Sequence, residues 1–483
     1  MAPASPYGTG YQAAAALSHK WEALLAGGGA RGAPSRLVYL FVQDQVAWAA
    51  QTANWGAARL LLATATTLGW EATLAGWGSA FTQAPLPGGK PMLMRAPRGF
   101  KSIKHGARGC LKLRKALYGN VFAPLLWYRK LSTALTDDLG MKKSPHDQCL
   151  FYSRDLIIIV WTDGAIFAAP NKQIITDHVD KLKRLGFDLD SEGSLESYLG
   201  IEIISSKDGP KNMLQGCLIG KVIKASGMEN CNPSSLPATQ VALGKGADGP
   251  LHGNSGFRYP SAAGMLLCLS SNTRPGICFA ASQACRLTHA PRKSHAAAVK
   301  MIIRYLAGTR TKGTIVRPDG TFSLKIHVGS DFSGLYGREE FTDPDSARSR
   351  LGYIISLGLA PLLWKPQLIS EICLPTLRSE CAALPMPLRA AAPPLGAAKA
   401  AAGGSLACGP APRSRLATFK ATVHEGNQGA LALAKAIGRG TPRSKFYALK
   451  MCWLRSWLSP RRAEAKRAKP EQSTKRLAFL QKQ

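Results

Sequence analysis

The sequence predicts an α+β fold in more than one domain, and three observations carry that expectation. Two apolar runs, 156–161 and 165–169, meet at Thr162-Asp163-Gly164, and an Asp-Gly turn between strand-like segments is a strong hairpin signal. Ile174, Ile175, Val179, Leu182 and Leu185 then recur at helical spacing, which predicts a helix of about four turns packing one face. From Phe322 onward a strand, a Gly-rich turn and a further strand at 351–357 begin a second set of elements.

Taken in order, residues 1–35 are rich in Ala and Gly, with Gly27, Gly28 and Gly29 in a row, and read as a flexible lead-in. Residues 36–205 alternate apolar runs and helical patterns and read as the first folded body. Within 206–320, the stretch 206–256 is rich in Gly, Ser, Pro and Lys and reads as an exposed connection, followed by a helix at 296–305. Residues 321–483 form the last unit. In it, 385–412 is nearly all Ala, Pro and Gly, and Pro385, Pro387, Pro393 and Pro394 argue against a helix there. From Thr441 to the end, twelve Lys or Arg stand against two Glu, a basic tail.

A chain of 483 residues with 46% hydrophobic content can bury two or three cores. The 62 Lys and Arg exceed the 29 Asp and Glu to give a formal charge of +33, the balance of a chain that lies along a polyanion such as nucleic acid. Eleven cysteines form no Cys-x-x-Cys pair, and Cys285 with His289 and His295 lacks a nearby second cysteine for a zinc site. Scattered thiols suit a reducing, intracellular compartment, in cytoplasm or nucleus. No stretch approaches ~18 uninterrupted apolar residues, and Met1 to Tyr7 lacks a basic run leading into an apolar core, so neither membrane insertion nor secretion is expected. Nothing in the sequence fixes an oligomeric state.

Several motifs follow one another in a telling order. Tyr118-Gly119 lies in the segment 113–128; Ser144-Pro145-His146-Asp147 precedes the hairpin; Tyr198-Leu199-Gly200-Ile201 follows it. Further on come Asn272-Thr273-Arg274-Pro275-Gly276-Ile277, Ser330-Asp331-Phe332-Ser333-Gly334, Arg378-Ser379-Glu380-Cys381 and Asn427-Gln428-Gly429-Ala430. In order and spacing, from about Arg36 to the C-terminus, the chain resembles the reverse transcriptase and ribonuclease H region of copia-type retrotransposon Pol polyproteins. The resemblance implies a palm/fingers-like polymerase domain, a connection, and a ribonuclease H-like α/β domain. It also implies template-primer, RNA/DNA hybrid and deoxynucleoside triphosphates as partners, with Mg²⁺ as cofactor.

Such chemistry needs two Mg²⁺ ions ~3.5 to 4 Å apart, and a hard cation wants clustered carboxylate oxygens. Carried over by the resemblance, the three polymerase carboxylates fall at Gly76, Asp163 and Gly164, so Asp163 is the one that survives. The ribonuclease H carboxylates fall at Gly329, Glu380, Gly426 and near Phe479, of which Glu380 survives. Asp331 and Glu425, each close in sequence to a lost position, are candidates for shifted ligands. The resemblance therefore makes Asp163, Glu380 and Asp331 the remaining catalytic candidates, Asp163 and Glu380 the metal candidates, and a degenerate, inactive copy the expectation. The resemblance implies Asp where this chain has Gly76, Gly164, Gly276, Gly329 and Gly426, and Tyr where it has Cys381, each difference within reach of one A-to-G change.

Tyr118 and Gly119 are implied to contact the incoming nucleotide and template; without the resemblance they read as a helix end with a terminating glycine. Trp127, Tyr128, Trp161 and Trp364 could stack on bases, and read more simply as core. The alternative to a polymerase relative is a noncatalytic protein that binds nucleic acid with little sequence preference.

Overall fold

A helix that is apolar all round must be buried, and α1 (Trp55–Leu68) is such a helix: Ala58, Leu60, Leu61, Leu62, Ala63 and Ala65 all lie in the core. The computed structural model describes residues 55–87, 92–95, 110–144, 147–206, 209–238, 243, 249–250, 257–317, 319, 323–332, 346–374, 376–391, 420–435 and 463–467. The lead-in 1–35, residue Phe479 and most of the basic tail lie outside them.

After α1 come β1 (Glu71–Trp77), the short α2 (Ala80–Gln83), β2 (Leu93–Arg95), β3 (Cys110–Lys112) and α3 (Ala123–Thr133), which runs into a π-helical turn at Ala134–Asp138. Strands β4 (Lys142–Lys143), β5 (Leu150–Tyr152), β6 (Ile157–Val160) and β7 (Gly164–Ala169) follow, then α4 (Lys172–Arg184) and β8 (Leu189–Ser194). These build a six-stranded sheet of order β4-β5-β6-β7-β1-β8, while β2 and β3 pair separately. The hairpin anticipated at Thr162-Asp163-Gly164 forms between β6 and β7, closed by the Trp161 N–H donating to the Gly164 carbonyl at 2.8 Å. Every residue of both strands is buried, as expected of runs without polar alternation. Helix α4 is amphipathic as its spacing implied, burying Ile175, Val179 and Leu182 and starting on an Asn171 cap whose side chain accepts from the Ile174 N–H. Leu185 lies just beyond it and is exposed.

The stretch 206–256, expected to be an exposed connection, contributes structure instead. Strand β11 (Lys211–Leu214) joins β9 (Ser197–Tyr198), β10 (Ile201–Ser205) and β12 (Thr314–Val316) in a sheet of order β12-β11-β10-β9. Helix α5 (Gly216–Ala225) buries Ile219, Val222 and Ile223. Its Gly and Lys positions face out, and the i, i+3, i+4 apolar triplet decides the matter. It packs with α6 (Tyr259–Asn272), α7 (Cys278–Arg286) and α8 (Lys293–Ala307) around a core of their own.

The third sheet has order β15-β14-β13-β16-β17, from β13 (Ser323–Asp331), β14 (Arg350–Leu357), β15 (Ala360–Leu368), β16 (Lys420–Glu425) and β17 (Ala463–Arg467). Strands β13, β14 and β15 pair antiparallel, whereas β16 joins β13 and β17 joins β16 in parallel. Helices α9 (Thr376–Ala383) and α10 (Gln428–Lys435) pack on it. Residues 385–391 are also helical, contrary to the expectation from their prolines. Pro385 and Pro387 occupy the first turn, where the missing N–H has no intrahelical partner to lose, and Leu388 and Ala391 reach the core. Pro393 and Pro394 lie outside the described residues.

The first and third sheets share one apolar core through α1. The approach is close enough that a Cβ on Gly56 would press on the end of the Leu363 side chain of β15 and make it shift. Arg59, 2% exposed, fastens the same junction. Its guanidinium donates to the Leu362 carbonyl at 2.8 Å and to the Ser271 and Asn272 carbonyls at 2.6 and 2.7 Å, with its face over the Trp364 ring at 4.1 Å. Burial pushes it down to about 9, so it remains charged at neutral pH.

Candidate functional site

Strand β1 lies between β7 and β8, and the register places Gly76 directly opposite Gly164 on one side and Asp190 on the other. Residues directly opposite in antiparallel strands project to the same face, ~4.5 to 5.5 Å apart at Cβ. The two polymerase positions expected on β1 and on the hairpin are thus brought side by side, and both lack a side chain. Asp190, which the sequence reasoning missed, completes the row as an exposed carboxylate. Its pairing with Gly76 spans 114 positions, and no local signal announces it.

Asp163 sits exposed at the turn, with its carbonyl accepting from the Trp77 N–H at 3.1 Å. Its carboxylate lies close enough to Tyr198 to add to the rise of that phenol, which burial causes first and Cys149 also assists. Tyr198 packs edge-on against Trp161 at 4.5 Å, so one side of the turn is an aromatic cluster. At the end of β1 the Gly78 N–H donates to the Asp188 carbonyl at 3.0 Å. Gln83 bridges the same two segments, donating to the Gly78 and Asp188 carbonyls and accepting from the Asp188 N–H. A carboxylate oxygen of Asp188 fills the space that a Cβ on Gly78 would take.

Tyr118 and Gly119 form a turn ahead of α3, and residues 110–117 hold no helix for that glycine to terminate, which corrects the plainer reading of the pair. Gly119 has φ +86°, the left-handed conformation that glycine adopts without strain. Tyr118 is half exposed with its ring 4.7 Å from Phe81, which brings it to the segment following Gly76. Trp127 and Trp161 are core residues. Tyr128 and Trp364 are half-buried, the first donating to the Gln148 carbonyl and the second to the Ser270 carbonyl. Cys285 donates to the Ala263 carbonyl, and His295 accepts from the Arg292 N–H, so these two groups serve the helices that carry them.

In the third sheet, Glu380 on α9 reaches the end of β13, where its carboxylate accepts from the Ser330 N–H at 2.9 Å while the Ser330 and Ser379 hydroxyls bond at 2.7 Å. Glu425 ends β16 fully buried, with one oxygen accepting from the Asn427 N–H at 3.1 Å. The two carboxyls are neighbours. Burial raises both, the charge of Glu380 raises Glu425 further, and bonds from Ser330 partly offset the rise at Glu380. Sequence position alone had set Glu425 beside the lost ligand at Gly426; the fold sets it beside Glu380. Asp331 ends β13 exposed, opposite Arg350 and two residues beyond Gly329, ~7 Å along the strand. A Cβ at Gly329 or Gly426 would meet nothing within 4 Å, so both positions, where the resemblance expects carboxylates, have room for a side chain.

This buried pair gives a pH signature. A carboxyl raised by folding contributes most below the unfolded carboxylate range, and the contribution is lost as pH rises through its folded value. Denaturant midpoints of the purified chain are expected to fall between pH 5 and mildly alkaline pH, and Glu425→Gln to flatten that slope and gain on the order of 2 kcal/mol at the alkaline end. An unchanged slope in the variant would show that the pair carries no such charge.

Among the described residues, no group of three or more His, Cys, Asp or Glu side chains is placed to hold a metal ion. No helix among them is long and apolar enough to cross a membrane.

Residues 43–240 match the family described as reverse transcriptase (RNA-dependent DNA polymerase). The chain is 27% identical over 333 residues to the retrovirus-related Pol polyprotein from transposon TNT 1-94 of Nicotiana tabacum, covering 67% of this chain and 24% of that protein. It is 28% identical over 313 residues to the Pol polyprotein from transposon RE1 of Arabidopsis thaliana, covering 63% of this chain and 20% of that one. A transposon Ty5-1 protein of Saccharomyces cerevisiae is 23% identical over 293 residues, 59% of this chain and 89% of its own length. The chain thus spans about a quarter or less of the two plant polyproteins. Members of the matched family generally act on nucleic-acid templates with divalent metal ions. Residues 43–240 match the reverse transcriptase family, and the chain is similar at modest identity to copia-type retrotransposon Pol polyproteins.

Proposed function

We propose that this chain is a retrotransposon-derived RNA-directed DNA polymerase with a ribonuclease H region that no longer catalyses either reaction. The observation that carries this reading is the pairing of Gly76 with Gly164 across β1 and β7, which leaves Asp163 and the neighbouring Asp190 as acids at a site that needs a compact carboxylate cluster. The family chemistry calls for two Mg²⁺ ions, each wanting oxygen ligands in near-octahedral geometry. Asp163 at the turn and Asp190 on β8 are separated by the bare Gly164 and Gly76 positions, so the donor set does not fit a two-ion centre. Changing even a partner of a ligand costs ~10 to 100-fold in affinity or activity, and two ligands are gone here.

We divide the chain accordingly into a polymerase-like body at 36–205, a connection at 206–320 and a ribonuclease H-like domain at 321–483. The mixed five-stranded sheet supports the last assignment, since its parallel β13, β16 and β17 need crossovers while β13, β14 and β15 pair antiparallel. There too a pair of buried carboxyls, Glu380 and Glu425, stands in place of four, and Asp331 is set apart at the strand end.

A second reading is favoured by the charge of +33: sequence-tolerant nucleic-acid binding that outlives catalysis. Incubation of the purified chain with poly(rA)/oligo(dT), thymidine triphosphate and Mg²⁺ tests both. No extended primer is expected, together with template-primer binding that weakens steeply between 50 and 200 mM salt, at least ~10-fold, as counterions are released. Mg²⁺-dependent product would overturn the inactive reading, and a flat salt response would overturn the binding one.

A further inference from the structure

Away from both stripped sites, a cavity of about 310 Å³ opens in the seam between α7 and the paired ends of β14 and β15. One wall is a single face of α7, on which Phe279, Ser282 and Arg286 follow one another at i, i+3 and i+7. The other is made by Arg350 and Gln367, with Leu368 opposite Arg350 in the register. Phe279 is 48% exposed, a large apolar ring left at the mouth of a cavity that carries one guanidinium on its own wall, Arg286, and one on the facing wall, Arg350. Asp331 stands opposite Arg350 across β13 and β14, and one guanidinium nitrogen of Arg286 donates to the Gln283 side-chain oxygen at 3.0 Å.

The combination selects for a particular chemistry. Two guanidiniums offer forked donors that match phosphate oxygens. An exposed aromatic face beside them adds a stacking surface that a bare anion cannot use. The hydroxyl of Ser282 and the amide of Gln367 add polar groups at the edge. The volume, at the low end for ligand pockets, suits a single small ligand and is too small for a folded partner.

We propose that this seam binds one nucleoside monophosphate unit, with its phosphate on Arg286 and Arg350 and its base on Phe279. The unit could belong to a strand or be a free nucleotide; the recognition chemistry is the same. The site lies outside the carboxylate clusters and does not depend on their having lost activity. It rests on nucleic-acid binding by the chain only in the strand case.

Calorimetric titration of the full chain with adenosine 5′-monophosphate, inorganic phosphate and a twelve-nucleotide oligo(dA) tests it. Saturable nucleotide binding is expected, at least tenfold tighter than phosphate. Phe279→Ser should remove that advantage while leaving phosphate affinity within twofold, and Arg286→Gln should weaken both ligands tenfold or more. Arg286→Lys, which keeps the charge on a similar stem, should recover part of the loss and guards against misfolding as the cause. If oligonucleotide affinity falls with Phe279→Ser, the unit belongs to a strand; if the mononucleotide alone is affected, the ligand is free nucleotide. The inference is overturned if the nucleotide binds no tighter than phosphate, or if Phe279→Ser leaves its affinity unchanged. Oligonucleotide that fails to bind at all would instead remove the nucleic-acid reading of the whole chain, with the mononucleotide result standing apart from it.

Discussion

Arg59→Ala is expected to lower the unfolding free energy by about 3 to 5 kcal/mol, seen as a fall in the denaturant midpoint. The size follows from what the guanidinium holds. It serves the Ser271 and Asn272 carbonyls at the C-terminal end of α6 and the Leu362 carbonyl of β15, all three contacts between 2.6 and 2.8 Å. A helix end has carbonyls without intrahelical partners, and each one left buried and unpaired costs roughly 1 to 3 kcal/mol. The stacked cation over Trp364 adds ~0.5 to 2 kcal/mol. Burial of the charge opposes these gains, which is why Arg59→Met, keeping most of the volume without a charge to desolvate, should lose less than Arg59→Ala. A loss below ~0.5 kcal/mol for Arg59→Ala, within the range of an ordinary surface change, would mean that α1 does not tie the first and third sheets together.

Placing carboxylates at the two proposed polymerase positions should have the other large effect. The Gly76→Asp, Gly164→Asp double variant is expected to gain at least ~100-fold in divalent-cation affinity, since it returns two ligands where a change to one supporting group is worth ~10 to 100-fold. Both new side chains would leave the same face of adjacent strands, next to Asp163 at the turn and in line with Asp190. At Gly164 a Cβ would stand 3.0 Å from the Ala75 carbonyl oxygen, so the double variant folds only if β1 yields there by a few tenths of an ångström. Binding is read by the loss of the free Mn²⁺ paramagnetic signal, Mn²⁺ being a hard cation that accepts the same oxygen geometry as Mg²⁺. A double variant that remains folded yet binds no better than the parent would show that Gly76 and Gly164 were never the ligand positions.

What could be read from the sequence was local. The hairpin at Asp163 announced itself because the turn chemistry and the two apolar runs are contiguous, and α4 because its apolar positions repeat within three turns. The juxtaposition of Gly76 with Gly164 came from the family resemblance and not from any pattern along the chain. Asp190 beside Gly76, and Glu425 beside Glu380, depend on strand order and register, which sequence periodicity does not encode. The stretch 206–256 was misread because Gly, Lys and Ser dominate its composition, although Met213, Leu214, Ile219, Val222 and Ile223 were there to mark a strand and a helix. Pro385 and Pro387 misled for a different reason: a proline breaks a helix in its interior, not in its first turn.

The central claim is a deficit of ligands at the polymerase site, and the most direct test is Mn²⁺ titration of the unaltered chain under conditions in which the restored variant binds. The parent should show no saturable binding at ion concentrations that fill the variant. Two ions taken up by the parent with comparable affinity, and released when Asp163 is changed to Asn, would contradict it.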